Sequence, residues 1–151
     1  MIRLREARVE DLSFVLGLVP RFVEHGAADG HSSEEVITGT ARVLREAIET
    51  PQAGDAVLIA ADERGEPVGF VYAVTQHDFF TLEPYAHVSE IAVARSGDGV
   101  GAQLMEGIER WSRERGYGIV TLNVVDENVP AQRFYERLGY RPGHRHLLKR
   151  I

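Results

Sequence analysis

Apolar and polar positions follow two different periods along the chain, and the changeover points divide it into elements. Ile2 to Arg5 alternates as a half-buried strand does. Leu12, Val15, Leu16 and Val19 fall at i, i+3, i+4 and i+7, the spacing of an amphipathic helix that Pro20 closes. His25 to Gly30 reads as a loop. Ser32 followed three places on by Glu35 is a capping-box signature. The helix it opens carries Val36, Thr40, Val43, Leu44 and Ala47 on one face and ends before Pro51. The period then becomes that of strands: Val57–Ala61, a hairpin turn over Asp62–Glu66, and Pro67–Val74. A loop from Gln76 to Tyr85 carries Phe79 and Phe80, and His87–Val93 is the next strand.

Helical spacing returns with Val100, Leu104, Ile108 and Trp111, backed by Glu106/Arg110 and Glu109/Arg113 at i, i+4 on the wet side. Gly116 suits the left-handed position past the end of that helix. Ile119–Val125 reads as a strand, and Asn128-Val129-Pro130 starts a last helix with Pro in its first turn. Ala131, Phe134, Tyr135 and Leu138 form the apolar face of that helix, Gly139 closes it, and His144–Ile151 is expected to be a terminal strand. The order β-α-α-β-β-β-α-β-α-β predicts a mixed α/β layer fold in a single domain over residues 1–151, with no internal repeat or linker.

Composition narrows the function. The chain of 151 residues has 17 Lys+Arg against 23 Asp+Glu, a net charge of −6, which argues against a nonspecific nucleic-acid coat. Cysteine is absent, which removes disulfides, thiolate metal sites and a Cys acyl-enzyme together. Ile2-Arg3-Leu4-Arg5 is not followed by an apolar signal-type stretch, and no run is long enough for a membrane span, so a cytoplasmic protein is expected.

Chemistry concentrates at a glycine loop. Gly97, Gly99 and Gly101 stand where an apolar strand gives way to an amphipathic helix. Glycine permits positive φ and close approach, and a helix start presents unpaired N–H groups and the positive end of its dipole. Together these suit phosphate or pyrophosphate, while the plainer alternative is a tight turn. Gly97-Asp98-Gly99-Val100-Gly101-Ala102 formally satisfies the dinucleotide fingerprint, with Asp126 after the next strand. Too little chain follows Asp126 for further parallel strands, and no Lys-Ser or Lys-Thr makes the loop a Walker motif.

The remaining residues point elsewhere. Ile91-Ala92-Val93 leading to Gly99-Val100-Gly101-Ala102-Gln103-Leu104, and then Asn128-Val129-Pro130-Ala131-Gln132-Arg133-Phe134-Tyr135-Glu136-Arg137-Leu138-Gly139-Tyr140, resemble the GCN5-related N-acetyltransferase (GNAT) family. The second segment follows the family's N-x-x-A-x-x-F-Y-x-x-x-G-[FY] stretch at every defined position, and the likeness covers essentially the whole chain. It implies a central mixed β-sheet flanked by helices, acetyl-CoA as donor and an amine-bearing acceptor, with neither a metal nor a nucleic-acid or membrane partner. It also implies that Ile91, Ala92 and Val93 pair their backbone with the pantetheine arm. The amides of Ser96, Gly97, Asp98, Gly99, Val100, Gly101 and Ala102 would hold the pyrophosphate. Asn128 and Ala131 would meet the cofactor arm, and Tyr135 would stand by the sulfur. In the family's [QR]-x-x-G-x-[GA] pattern the first place is Ser96 here, with Arg95 one residue early, and Asp98 fills a place often basic. Those departures motivate the rival reading of a non-catalytic acyl-CoA-binding module, with a dinucleotide-binding domain behind it.

Acetyl transfer to an amine needs a neutral nucleophile, a polarised thioester carbonyl and a proton for the departing thiolate. Tyr135 is the acid candidate, set against a purely core aromatic beside Phe134. Glu90 is the base candidate, since adjacent apolar residues raise a carboxyl's pKa toward the working range; a solvent-facing glutamate and water-relayed deprotonation are the alternatives. The N–H near Val93 is a candidate oxyanion donor. For the acceptor side the sequence offers Phe79, Phe80 and Tyr85, the loop Gly26–His31, and Asp78 and Glu83 for a cationic amine. His144 and His146 share a strand face without a third metal ligand. Dimers are common among look-alikes, which makes a homodimer a candidate assembly.

Overall fold

The computed structural model describes residues 1–151. Strand β1 (Arg3–Glu6) leads through a short 3₁₀ turn into α1 (Leu12–Leu18), and α2 spans Ser33–Glu49. Strands β2 (Asp55–Ala61), β3 (Pro67–His77) and β4 (Pro84–Val93) follow, then α3 (Val100–Glu114), β5 (Val120–Leu122) and α4 (Val129–Arg137). The five strands lie in the order β1-β2-β3-β4-β5, antiparallel except for the parallel pair β4–β5. This is the mixed α/β sheet that the element order predicts.

Each face of the sheet has its own core. Val57, Ile59, Phe70, Tyr72 and Ala92 pack with Val15, Leu18, Leu44, Ala47 and Ile48 of α1 and α2. Ala56, Ala60, Val71, Ala73 and Val88 pack with Val100, Leu104, Met105 and Ile108 of α3, and α4 adds Phe134, Tyr135 and Leu138. The Ser32 hydroxyl accepts from the Glu35 N–H at 3.1 Å and the Glu35 carboxylate accepts from the Ser32 N–H at 2.8 Å, closing the expected capping box.

Several expectations are corrected. The first α-helix ends at Leu18, just before Pro20, as expected, but the chain continues as a 3₁₀ turn, Val19–Val23, with Pro in its first positions, where a missing N–H is harmless. Val43 turns outward, and Ile48 takes its place on the buried face of α2. Of the two expected α3 ion pairs only Glu109–Arg113 forms, at 3.3 Å. The loop expected over Gln76–Tyr85 is shorter than that: β3 runs to His77 and β4 starts at Pro84, which leaves a turn over residues 78–83, and Tyr85 donates to the Gln76 side chain at 2.9 Å across the ladder. The strand expected over Ile119–Val125 contracts to Val120–Leu122. No strand forms over His144–Ile151, which is exposed throughout. An edge strand of three residues offers little ladder to pair with, and Arg145, Lys149 and Arg150 favour water. No helix is long and apolar enough to cross a membrane.

Candidate active site

The site begins with one extra residue in β4. Pairing with β3 steps from Tyr72↔Glu90 to Ala73↔Val88, which leaves Ser89 as a β-bulge. Side chains alternate faces along a strand, so a one-residue insertion reverses the facing of everything beyond it. Val88 points to the α3 face, opposite Ala73. Without the bulge Glu90 and Ala92 would share that face. With it they lie opposite Tyr72 and Phe70, on the α1/α2 face.

The bulge also bends the strand away from its parallel neighbour. β5 pairs with β4 only over Ala86–Val88, and the ladder ends where the bulge begins. Beyond it the Ala94 N–H donates to the Val68 carbonyl at 2.8 Å, toward β3. Alternation of the antiparallel ladder then turns the N–H and C=O of Ile91 and Val93 the other way, into the gap beside β5. This is an unpaired strand edge in the middle of a sheet, suited to an extended ligand with amide groups of its own. Arg21, in the turn after α1, reaches this edge: its guanidinium donates to the carbonyls of Val93 and, at 2.8 Å, Ala94.

The glycine loop lies at the end of β4. Gly97 (φ 93°) and Gly99 (φ 73°) hold left-handed backbone, and a side chain at either would point into open space. Gly99 caps α3 without any side-chain acceptor, so the first N–H groups of the helix are free. Gly101 does a different job, since a Cβ there would stand 3.2 Å from the Phe134 ring, so its absence lets α4 close on α3. Asp98 is paired with Arg95 at 3.0 Å, which places a guanidinium beside the carboxylate expected to repel an anion.

Two ionisable groups meet at the gap from opposite faces. Burial pushes the Glu90 carboxyl up to about 7. Tyr135, on α4, is pushed up to about 12 by burial and, less, by the charge of Glu90. Its ring stands edge-on to Phe134 and Tyr140, with centroids 5.0 and 5.9 Å away. Asn128 caps α4 by accepting from the Ala131 N–H at 3.2 Å, which engages its carbonyl oxygen and leaves its NH₂ group for other partners.

The aromatic residues are elsewhere. Phe79 and Phe80 form an edge-to-face pair at the exposed tip of the β3–β4 hairpin, 87% and 88% exposed. At about 3.3 Å per residue, the length of β4 separates them from Glu90. Asp78 is spent on the hairpin turn, accepting from Phe80 and Thr81 N–H groups at 2.9 Å. On the Glu90 face of β4 the strand presents His87 instead, its Nδ1 2.8 Å from the Thr121 hydroxyl of β5. Neither the bulge nor Arg21 carries a sequence signal of its own.

The site thus combines a bulged strand with unpaired backbone beside its parallel neighbour, a glycine-capped helix at its end and two ionisable side chains, Glu90 and Tyr135. The sequence model of the acetyltransferase (GNAT) family matches residues 26–140, and the chain belongs to that family. It is 28% identical over 123 residues to streptothricin acetyltransferase of Streptomyces lavendulae, covering 82% of this chain and 57% of that protein, so it spans little more than half of that relative's length. Its fold is similar to that of a putative acetyl transferase from Pyrococcus furiosus (TM-score 0.78, 24% identity, all of both chains). It is also similar to the aminoglycoside acetyltransferase AAC(6')-Iy solved with a CoA-containing bisubstrate analog (TM-score 0.73, 20% identity, 100% and 98% covered).

Proposed function

We propose that the chain is an acetyl-CoA-dependent N-acetyltransferase that moves the acetyl group to a primary amine by direct transfer in a ternary complex. The observation that carries this reading is the bulge at Ser89. It turns Glu90 to the α1/α2 face and leaves the backbone groups of Ile91 and the N–H of Val93 without a strand partner toward the gap beside β5, the Val93 carbonyl being held by Arg21. The two faces supply different substrates: the pantetheine arm pairs along the β4 edge, with its pyrophosphate on the amides from Gly97 to Ala102, and the amine approaches over Glu90.

In this scheme the amine nitrogen attacks the thioester carbonyl carbon. The carbonyl π electrons move to oxygen, where the Val93 N–H is the donor in reach of the developing charge. Glu90, ionised above about pH 7, takes the proton of the attacking amine. As the tetrahedral intermediate collapses, the C–S bond breaks and Tyr135 gives its proton to the departing thiolate. The products are the N-acetyl amine and CoA, and the proton held by Glu90 returns through solvent to Tyr135. A phenol with so high a pKa is protonated at every working pH, which suits an acid and not a base.

The test is release of free CoA thiol from acetyl-CoA over a panel of amines. Turnover with at least one primary amine is expected. Acetyl-CoA binding without turnover of any amine would instead make the chain an acyl-CoA-binding module. Thermal stabilisation by NAD and none by acetyl-CoA would point to a dinucleotide-binding domain.

A further inference from the structure

The acidic chain hides one strongly basic segment. After Arg137, the last residue of α4, there are four Lys or Arg residues and no Asp or Glu. Tyr140, near its start, is fixed to the α3 face, donating to Glu109 at 3.1 Å. Its far end lies on the opposite side of the sheet, on the loop between α1 and α2. Leu148 packs against Gly30, whose missing side chain leaves it room, and Arg150 donates to the Gly30 carbonyl at 2.6 Å. Eight residues of extended chain reach at most about 26–29 Å, so the segment ties the two faces together as a strap. The loop it docks on follows directly from the turn of Arg21, whose guanidinium holds the Val93 and Ala94 carbonyls where β4 ends.

No carboxylate pairs with these cations. Arg21 and Arg150 donate to backbone carbonyls, and neither they nor Arg141, Arg145 or Lys149 lies in any of the ion pairs of the protein. The loop contributes two acids, Glu24 and Asp29, against four cations in the strap and Arg21 beside it. A guanidinium whose charge is met by no carboxylate retains its full attraction for a planar anion.

We propose that the strap, docked through Leu148 and Arg150, forms with Arg21 an anion-recognising wall of the acceptor site. The acceptor is then an amine that also bears a carboxylate or phosphate group. The proposal rests on the acetyltransferase reading above and gives that reading its acceptor class.

The test compares matched amines, O-phosphoethanolamine against ethanolamine and glutamate against glutamine, with spermidine as polycation. It uses the full chain and a Lys149→Ala/Arg150→Ala variant, with melting temperature as the control for folding. The anionic member of each pair is expected to have the higher kcat/KM, and the variant to raise its KM about ten-fold with kcat and acetyl-CoA Kd unchanged. Preference for spermidine, with no effect of the variant, would overturn the proposal. Weakened acetyl-CoA binding at unchanged acceptor KM would also overturn it, because the strap would then serve the cofactor's phosphates. Should no amine be acetylated, the transfer reading fails by itself. Calorimetry of O-phosphoethanolamine with the CoA-loaded chain then decides the wall: binding lost in the variant upholds it, and no binding overturns it.

Discussion

Replacing Glu90 by Gln separates the stability of the site from its chemistry. The carboxyl rises from an ordinary 4.5 to about 7 because burial on the face to which the bulge turns it disfavours the charged form. A shift of this size corresponds to about 3 kcal/mol of disfavoured ionisation. The unfolded chain sheds the proton near pH 4.5 while the folded chain keeps it to about 7, so between these values the unfolded state binds fewer protons. The stability of the wild type therefore falls as pH rises through that window and is fully reduced above it. Gln has no proton to lose. The two proteins should be equally stable near pH 4.5, and by pH 8 Glu90→Gln should be the more stable by about 3 kcal/mol, a gain on the order of 10 °C in melting temperature. Denaturant titrations of the ligand-free proteins across pH 4.5–8.5 measure this directly, and other titrating groups cancel in the difference. The same substitution should remove the acidic limb near pH 7 from kcat/KM and lower the rate about 10²–10⁴-fold. Parallel stability curves for the two proteins would refute the burial of Glu90, and with it the facing that the bulge imposes.

Other substitutions test separate parts of the site. Tyr135→Phe keeps the ring packed against Phe134 and Tyr140, so acetyl-CoA Kd should hold while kcat falls about 10²-fold; full activity would remove Tyr135 as the acid. Gly99→Ala forces a left-handed alanine, at about 1–2 kcal/mol, and relief of that strain would re-aim the free amides of α3, so acetyl-CoA binding should weaken more than this stability loss explains. In Gly101→Ala the helix gains about 1 kcal/mol of propensity against a similar overpacking cost at Phe134, so melting should barely move. Turnover should drop in that variant as Tyr135 shifts with its neighbour, and a change in KM alone would contradict the assignment. Ser32→Ala removes the capping hydroxyl of α2 and should lower stability by about 1 kcal/mol, read from urea midpoints, without changing cofactor affinity.

What the sequence made legible was local. The Ser32–Glu35 box, Pro130 behind the Asn128 cap and the glycine break before α3 each depend on a few adjacent residues, and each is where the spacing put it. Strand register is not local. The step at Ser89 exists only in relation to Tyr72 and Ala73 across the ladder, so Glu90 was nameable as a base candidate but not assignable to a face. The ends of the Gln76–Tyr85 segment, Gln76–His77 and Pro84–Tyr85, join the strands because they pair with each other across the hairpin, a contact no local pattern shows, and the hairpin holds Phe79 and Phe80 away from Glu90. The alternation His144, His146, Leu148 suggested a strand, yet a strand needs a neighbour, and β5 is only three residues long. Arg21 belongs to no pattern, because its partners are backbone carbonyls on another element.

The central claim is that the opening between β4 and β5 seats acetyl-CoA with its thioester between Glu90 and Tyr135. A crystal structure of the chain with CoA bound tests it most directly. The account predicts pantetheine amides paired with Val93, the pyrophosphate on the amides following Gly99, and the sulfur within about 3.5–4 Å of the Tyr135 hydroxyl. CoA lying outside that opening, or with its sulfur remote from Tyr135, would contradict it.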